Sequence, residues 1–198
     1  MKEPILKKSC DLFLKFGYKC ITMDDIANAL AISKKTLYKC FKNKNELVEA
    51  STAFFHSQIF EMISNIHKQQ HNAIKENFEI TTIFKDIFTE TMELPMFQLN
   101  KYYPETYKKF IENEFRIFEN FMRDNLKRGL SEGLYRKDLD IDGIVKYYFI
   151  LVMNIHEHQI FKKDTPSSHE FPILEYHTRA IATAKGLIEL EKQLLKKQ

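Results

Sequence analysis

Between Ser33 and Lys44 the chain places five lysines, two hydroxyls and a tyrosine: Ser33, Lys34, Lys35, Thr36, Tyr38, Lys39, Lys42 and Lys44. These groups suit a ligand with two kinds of surface. Ammonium and hydroxyl groups can hold phosphate oxygens, which sets position. A lysine can also donate to guanine O6 or N7, and a threonine methyl can touch the methyl of thymine, which reads sequence. The plainer alternatives are solvated lysines on an exposed helix and a tyrosine packed in a core with a wet hydroxyl.

Such side chains act together only if short helices hold them. Helix one is expected from about Pro4 to Phe16, with Ile5, Ser9, Leu12 and Phe16 on one face, Leu6, Cys10 and Phe13 beside it, and Gly17 as the stop. Thr22, with Asp25 three residues on, opens a second helix that buries Ile26, Ala27 and Leu30. Ala31 and Ile32 form a turn. Ser33 caps a third helix through Cys40, with Leu37 and Phe41 inward and the lysines and Tyr38 left facing outward or sideways. Two short helices joined by a tight turn are the layout of a helix-turn-helix, which lays its second helix in the major groove. Asn43 with Glu46 caps a fourth helix whose apolar period lasts about six turns, long enough to connect this head to the rest.

The remainder keeps helical periodicity, with no internal repeat and no convincing alternating strand. Phe78 to Met92 mark one helix, stopped near Pro95, with a short segment from Met96 to Tyr102 after it. Pro104 opens a long helix that ends around Gly129 and Gly133. Asp140 or Asp142 starts another, which carries Tyr147, Tyr148, Leu151 and Ile155. After a polar loop, Ser167 with Glu170 offers a cap for the last helix, with Pro172 delaying its regular start. Five glycines and five prolines in 198 residues favour this all-α reading.

Net charge is +3, and its distribution is more telling. Residues 1–50 hold ten lysines and six acids, an excess of +4, so the remainder stands at −1. The positive excess lies where the motif is, as a footprint for phosphates requires. No run of 18 apolar residues exists and the basic N-terminus lacks an apolar core for a signal peptide, so a cytoplasmic protein with no membrane partner is expected. Cys10, Cys20 and Cys40 read as reduced thiols and most plainly as small buried hydrophobes; a redox sensor is the lesser reading, with Cys40 its best candidate and no Cys-x-x-Cys to support it. His67 and His71 (i, i+4) read as sharing a helix face, and His156 and His158 lie close in sequence. Two histidines are a weak ligand set, so no metal and no cofactor are expected.

Five segments in order carry a resemblance: IleLeuLysLysSerCysAspLeuPhe from Ile5, PheGlyTyr from Phe16, ThrMetAspAspIleAla from Thr22, SerLysLysThrLeuTyrLysCysPhe from Ser33 and LysAsnLysAsnGluLeu from Lys42. Together they resemble the TetR/AcrR-type transcriptional regulators. A weaker echo lies in LeuLysArgGlyLeuSerGluGlyLeuTyrArgLysAspLeuAsp from Leu126. The resemblance implies a three-helix DNA-binding head (1–48) and a helical ligand-binding and dimerising body (49–198), with no enzymatic activity. The competing class is a helical-bundle small-molecule binding protein or enzyme without DNA binding. The resemblance also implies that Thr22 and Ser33 sit near phosphates at helix starts, that Lys44 contacts a phosphate, and that the Tyr38 hydroxyl reaches the backbone. Lys34, Lys35, Thr36 and Lys39 are the candidates for groove contacts. Ala31 and Lys35 depart from the family, which often has glycine at the first position and a small residue at the second.

One head covers few base pairs. Two heads on a two-fold axis reach successive major grooves about 34–36 Å apart, so a homodimer on a palindromic operator is expected. The last two helices are its expected interface, through Tyr148, Ala180, Ile181, Ala184, Leu187 and Ile188. A cavity for an apolar or aromatic effector is expected among Phe84, Phe88, Met92, Phe97, Phe110, Phe118, Tyr147 and Met153, against the plainer reading of these as packed core. The expected action is that of a repressor released from DNA when the effector shifts the spacing of the heads.

Overall fold

The computed structural model describes residues 1–87, 93–157 and 169–196. The described residues form ten helices: α1 (Lys2–Phe16), α2 (Met23–Ala29), α3 (Lys34–Cys40), α4 (Lys44–His67), α5 (Ala73–Ile87), α6 (Glu93–Tyr102), α7 (Pro104–Ser131), α8 (Ile141–Glu157), α9 (Glu170–Ile181) and α10 (Ala184–Leu195). None is long and apolar enough to cross a membrane. The chain forms two compact units, Met1–Glu61 with Thr91–Glu114, and Met62–Glu90 with Phe115–Gln198. Helices α4 and α7 each carry residues of both.

In the first unit apolar residues of α1 to α4 meet, although Phe16, expected on the packed face of α1, is 48% exposed and the buried face runs through Ile5, Ser9, Cys10 and Phe13. Ile5, Phe13, Ile26, Leu37 and Leu47 are fully buried together. Tyr18 stacks on Phe13 with ring centroids 5.0 Å apart. Gly17 ends α1 at φ 84°, and its N–H donates to the Phe13 carbonyl at 2.8 Å. A side chain there would strike Gln98 of α6, whose Oε1 would lie 2.5 Å from an added Cβ. That same Oε1 accepts the Lys19 N–H at 2.8 Å.

The turn after α2 holds a strained residue. The Ile32 N–H reaches back to the Ala27 carbonyl and the Ala31 N–H to the Asn28 carbonyl, both at 3.0 Å. This is the Schellman pattern, whose pivot residue takes the left-handed conformation. Here the pivot is Ala31 at φ 51°, where a Cβ costs about 1–2 kcal/mol. Ala31 is exposed, so nothing else depends on its methyl. Ala31→Gly is expected to stabilise the protein by about 1 kcal/mol in urea denaturation, net of the entropy that glycine adds to the unfolded chain. A destabilised variant would contradict the strain argument.

The second unit packs α5 against α9 and α10, and α8 against α9. Its core includes Ile74, Leu126, Tyr135, Val145, Leu174 and Leu190. Gly129 lets α7 pass close to Tyr135, whose ring would lie 2.2 Å from an added Cβ. A buried polar network sits beside this ring. The Glu76 carboxylate accepts from Asn125 Nδ2 at 2.9 Å, lies 3.2 Å from His67 Nδ1 and pairs with Arg128.

Four local expectations are corrected. Pro95 does not stop a helix but sits in the first turn of α6, and Pro172 sits likewise in α9, where a missing N–H costs nothing. The C-terminal segment is two helices, because the backbone at Ala182–Thr183 pairs with Leu134–Arg136: the Arg136 N–H donates to Ile181 and the Thr183 N–H to Leu134, both at 2.9 Å. Ala180 and Ala184 therefore lie on different helices. His71 follows the end of α4 and does not share it with His67. His71 Nδ1 lies 2.7 Å from Glu79 while His67 meets Glu76. His158 and the cap residue Ser167 fall outside the described residues.

Candidate nucleic-acid interface

Local capping chemistry builds the site. Thr22 Oγ1 accepts the Asp25 N–H at 3.2 Å, and Asp25 Oδ2 accepts the Thr22 N–H at 2.8 Å, so both halves of the capping box form. Hydrogen bonds from Thr22 hold the Asp25 carboxyl below its ordinary range. Ser33 Oγ accepts the Thr36 N–H at 3.0 Å and shares a 2.8 Å hydrogen bond with the Thr36 hydroxyl. Asn43 Oδ1 accepts the Glu46 N–H at 2.9 Å. The Glu46 carboxylate reaches one residue further back than a capping box requires, to the Lys42 N–H at 2.7 Å.

These caps fix α3 with only Leu37 buried. Lys34, Lys35, Tyr38 and Lys39 are exposed and Thr36 is half-buried. Tyr38 has 48% of its surface free, a large aromatic carrying a hydroxyl on the lysine-bearing side. Lys44 is half-buried, donates to the Lys19 carbonyl at 3.3 Å, and is held below its ordinary pKa by that burial. The Thr22 hydroxyl is spent on Asp25, donating to Oδ2 at 2.7 Å. Thr22 would therefore meet a phosphate through surface position more than through a free hydroxyl.

Two features escaped sequence reasoning. Lys34 Nζ pairs with Asp24 of α2 at 2.5 Å, and this hydrogen bond raises the lysine's pKa. Ten residues separate the partners, and no helical spacing announces the pair. In the same unit the Glu114 carboxyl is pushed up to about 7 by burial and lies 3.1 Å from His56 Nε2. These two residues come from α7 and α4.

The residues expected to line an effector cavity do not assemble as one group. Phe97 and Tyr147 are exposed, a correction with a simple cause: each falls on the solvent side of its helix. Phe110 is buried in the first unit, edge-on to His56. Phe118 packs against Tyr148 and Phe149 in the second. Phe84 and Met153 are half-buried, and Phe88 and Met92 lie outside the described residues. Among the expected interface residues, Tyr148 and Ile181 are buried in their own unit's core, so neither presents a free surface. Leu187 is half-buried, while Ala180, Ala184 and Ile188 are exposed. Among the described side chains of α8, Tyr147, Ile150 and Leu151, at helical spacing, are the exposed large apolar ones.

Comparison with known proteins agrees with this geometry. Residues 5–51 match the model of the bacterial regulatory proteins, tetR family. The HTH-type transcriptional repressor KstR2 of Mycolicibacterium smegmatis is 23% identical over 160 residues, covering 74% of this chain and 73% of KstR2. The HTH-type negative transcriptional regulator IcaR of the biofilm operon icaADBC in Staphylococcus aureus is 32% identical over 88 residues, covering 44% of each chain. A crystal structure of a transcriptional regulator from Cytophaga hutchinsonii superposes with a TM-score of 0.78 at 16% identity, over 92% of this chain and 98% of the other. The capped pair of short helices meeting at a Schellman turn, with lysines and Tyr38 turned outward, is thus a helix-turn-helix head similar to that of the tetR family of bacterial regulatory proteins, and over 74% of its length the chain is similar to a transcriptional repressor.

Proposed function

We propose that this protein is a dimeric, ligand-responsive transcriptional regulator that represses by holding a palindromic operator and is released by a small apolar or aromatic effector. One observation carries the DNA half of this reading: α3 exposes Lys35, Tyr38 and Lys39 while burying only Leu37. In the proposal, Lys34, Lys35, Thr36 and Lys39 face base edges, and Thr22, Ser33, Tyr38 and Lys44 hold phosphates. Residues 1–48 are the DNA-binding domain and 49–198 the effector and dimer domain. Action on chromosomal DNA places the protein in the cytoplasm.

The dimer face of the proposal is revised to the exposed apolar surface of the last three helices, Tyr147, Ile150 and Leu151 with Tyr176 and Ile188. Ala180 and Ala184 are small exposed residues where a partner helix can approach closely. Support for a repressor and for an effector comes from the relatives. KstR2 and IcaR are a transcriptional repressor and a negative transcriptional regulator by name, and the KstR2 of Mycobacterium tuberculosis is a ketosteroid transcriptional regulator.

The test is a binding series on the selected operator at matched salt. Tyr38→Ala and Lys44→Ala are each expected to weaken binding by about 1–3 kcal/mol. Lys44→Ala should also flatten the salt dependence by close to one phosphate contact. Unchanged affinity in both variants would refute the role assignments.

A further inference from the structure

The C-terminal end of α6 is fixed inside the first unit, beside the residues proposed to hold phosphates. Leu99 is fully buried in the core that α1 to α4 share. Gln98 Oε1 accepts the Lys19 N–H at 2.8 Å, and the Tyr103 and Tyr18 ring centroids are 6.2 Å apart. On the outer side Phe97 and Tyr102 are exposed aromatics. Lys101 Nζ lies 5.6 Å from the Phe97 ring and 5.5 Å from the Tyr102 ring. Lys19 Nζ, from the loop before α2, lies 5.2 Å from the same Tyr102 ring. Two ammonium groups distant in the chain thus meet on one tyrosine. A ring holds an ammonium in place without neutralising it. Lys19 and Lys101 are exposed, and among the described residues neither pairs with a carboxylate. Lys34 and Lys109 of the same unit do, with Asp24 and Glu49. Like charges gathered without a counterion repel, and an anion relieves that repulsion.

We infer that Lys19 and Lys101, gathered on Tyr102, form a second phosphate-holding ledge, with which α6 grips the DNA backbone flanking the stretch read by α3. The inference rests on the DNA half of the proposed function and extends the contact surface beyond residue 48. Position selects the occupant. The Lys19 carbonyl accepts from Lys44 Nζ at 3.3 Å. Lys19 stands three residues before Thr22, at most about 11 Å along an extended chain. The ledge is therefore continuous with Lys44 and Thr22, and a polyanion that reaches those two residues passes over it. Its chemistry is that of positioning, not of reading, because an ammonium meets phosphate as a point charge. The rings keep both lysine stems partly ordered, so less rotamer entropy is lost on contact.

The test titrates the full chain and its Lys19→Gln, Lys101→Gln double variant across a salt series. Two duplexes are used: the selected operator with about one helical turn of flank on each side, and the same operator trimmed to its half-sites. On the flanked duplex the variant is expected to lose at least about tenfold in affinity at low salt. Its plot of log K against log[salt] should flatten by about 1.8, the slope of two phosphate contacts. On the trimmed duplex the two proteins should bind alike, which also shows that the variant is folded. A second variant, Lys127→Gln with Lys137→Gln, removes the same charge from exposed positions of the second unit and should leave the flanked slope unchanged. Equal affinity and slope on the flanked duplex overturn the inference. So does an equal loss on the trimmed duplex, or in the second-unit variant, since either makes the effect one of net charge. Sedimentation with phosphatidylglycerol vesicles that the ledge variant loses, with operator binding intact, would assign the patch to a membrane surface and overturn it too. The DNA reading fails separately. If the wild type selects no operator, that reading falls. If Tyr38→Ala weakens operator binding and the ledge variant does not, the reading stands and the ledge falls.

Discussion

Ile188→Glu combined with Tyr147→Glu is expected to convert the proposed dimer to monomers and to lower affinity for a two-half-site operator by at least about 100-fold. Both residues are large, apolar and mostly in contact with solvent in the single chain, Tyr147 at 68% and Ile188 at 62% exposure. An apolar surface of this kind marks an interaction site, and a carboxylate buried there without a partner costs several kcal/mol. The fold should survive, because neither side chain belongs to a core. Affinity for a single half-site should be unchanged, since α3 is untouched. Sedimentation together with anisotropy on full-site and half-site duplexes separates these outcomes. Tyr148, one residue away, gives the opposite pattern: it is buried, and its loss should weaken folding. A dimer that persists at micromolar concentration with full operator affinity would remove this surface from the account.

Glu76→Ala is expected to cost about 3–5 kcal/mol of folding stability, the range for breaking a buried ion pair by deleting one partner. Glu76 is 1% exposed and serves Arg128, Asn125 and His67 at once. Asn125 in turn donates to the Ala73 carbonyl at 2.8 Å, and its Oδ1 accepts from Tyr135 Oη and Asn77 Nδ2, each at 3.1 Å. Removing the carboxylate strips the buried Asn125 amide of an acceptor and leaves the part-buried Arg128 with only the longer contact to Glu132, at 3.8 Å. The network ties the end of α4 to α5 and α7, so the loss should be cooperative, with an unchanged m-value in urea. The exposed Arg179–Glu191 pair is the control: Glu191→Ala should cost far less than Glu76→Ala, because solvent screens the pair. Equal costs at the two sites would contradict the network's role.

What could be read from the sequence was what is encoded within a few residues. The box of Thr22 and Asp25, the Ser33 and Asn43 caps, the Gly17 stop and the turn at Ala31 all depend on side chains within four positions of the backbone they serve. All of them are found. The positive φ at Ala31 was foreseeable because glycine is common there in the family the segment resembles. What could not be read depends on partners distant in the chain. The break at Ala182–Thr183 is imposed by Leu134–Arg136, and the Asp24–Lys34 pair spans a turn. The exchange of Tyr147 for Tyr148 at the surface is an error of helical phase. Both residues are aromatic, and only packing against α9 decides which one is buried.

The central claim is that α3 reads duplex DNA in pairs. Selection from a library of random duplexes at low ionic strength tests it most directly. The account predicts enrichment of a two-fold symmetric sequence whose half-sites are centred about one helical turn, or a multiple of it, apart. It also predicts that affinity for this sequence falls steeply with salt and drops again in Tyr38→Ala. A library recovered without any enriched sequence, or one bound equally well by the wild type and by a protein lacking residues 1–48, would contradict it.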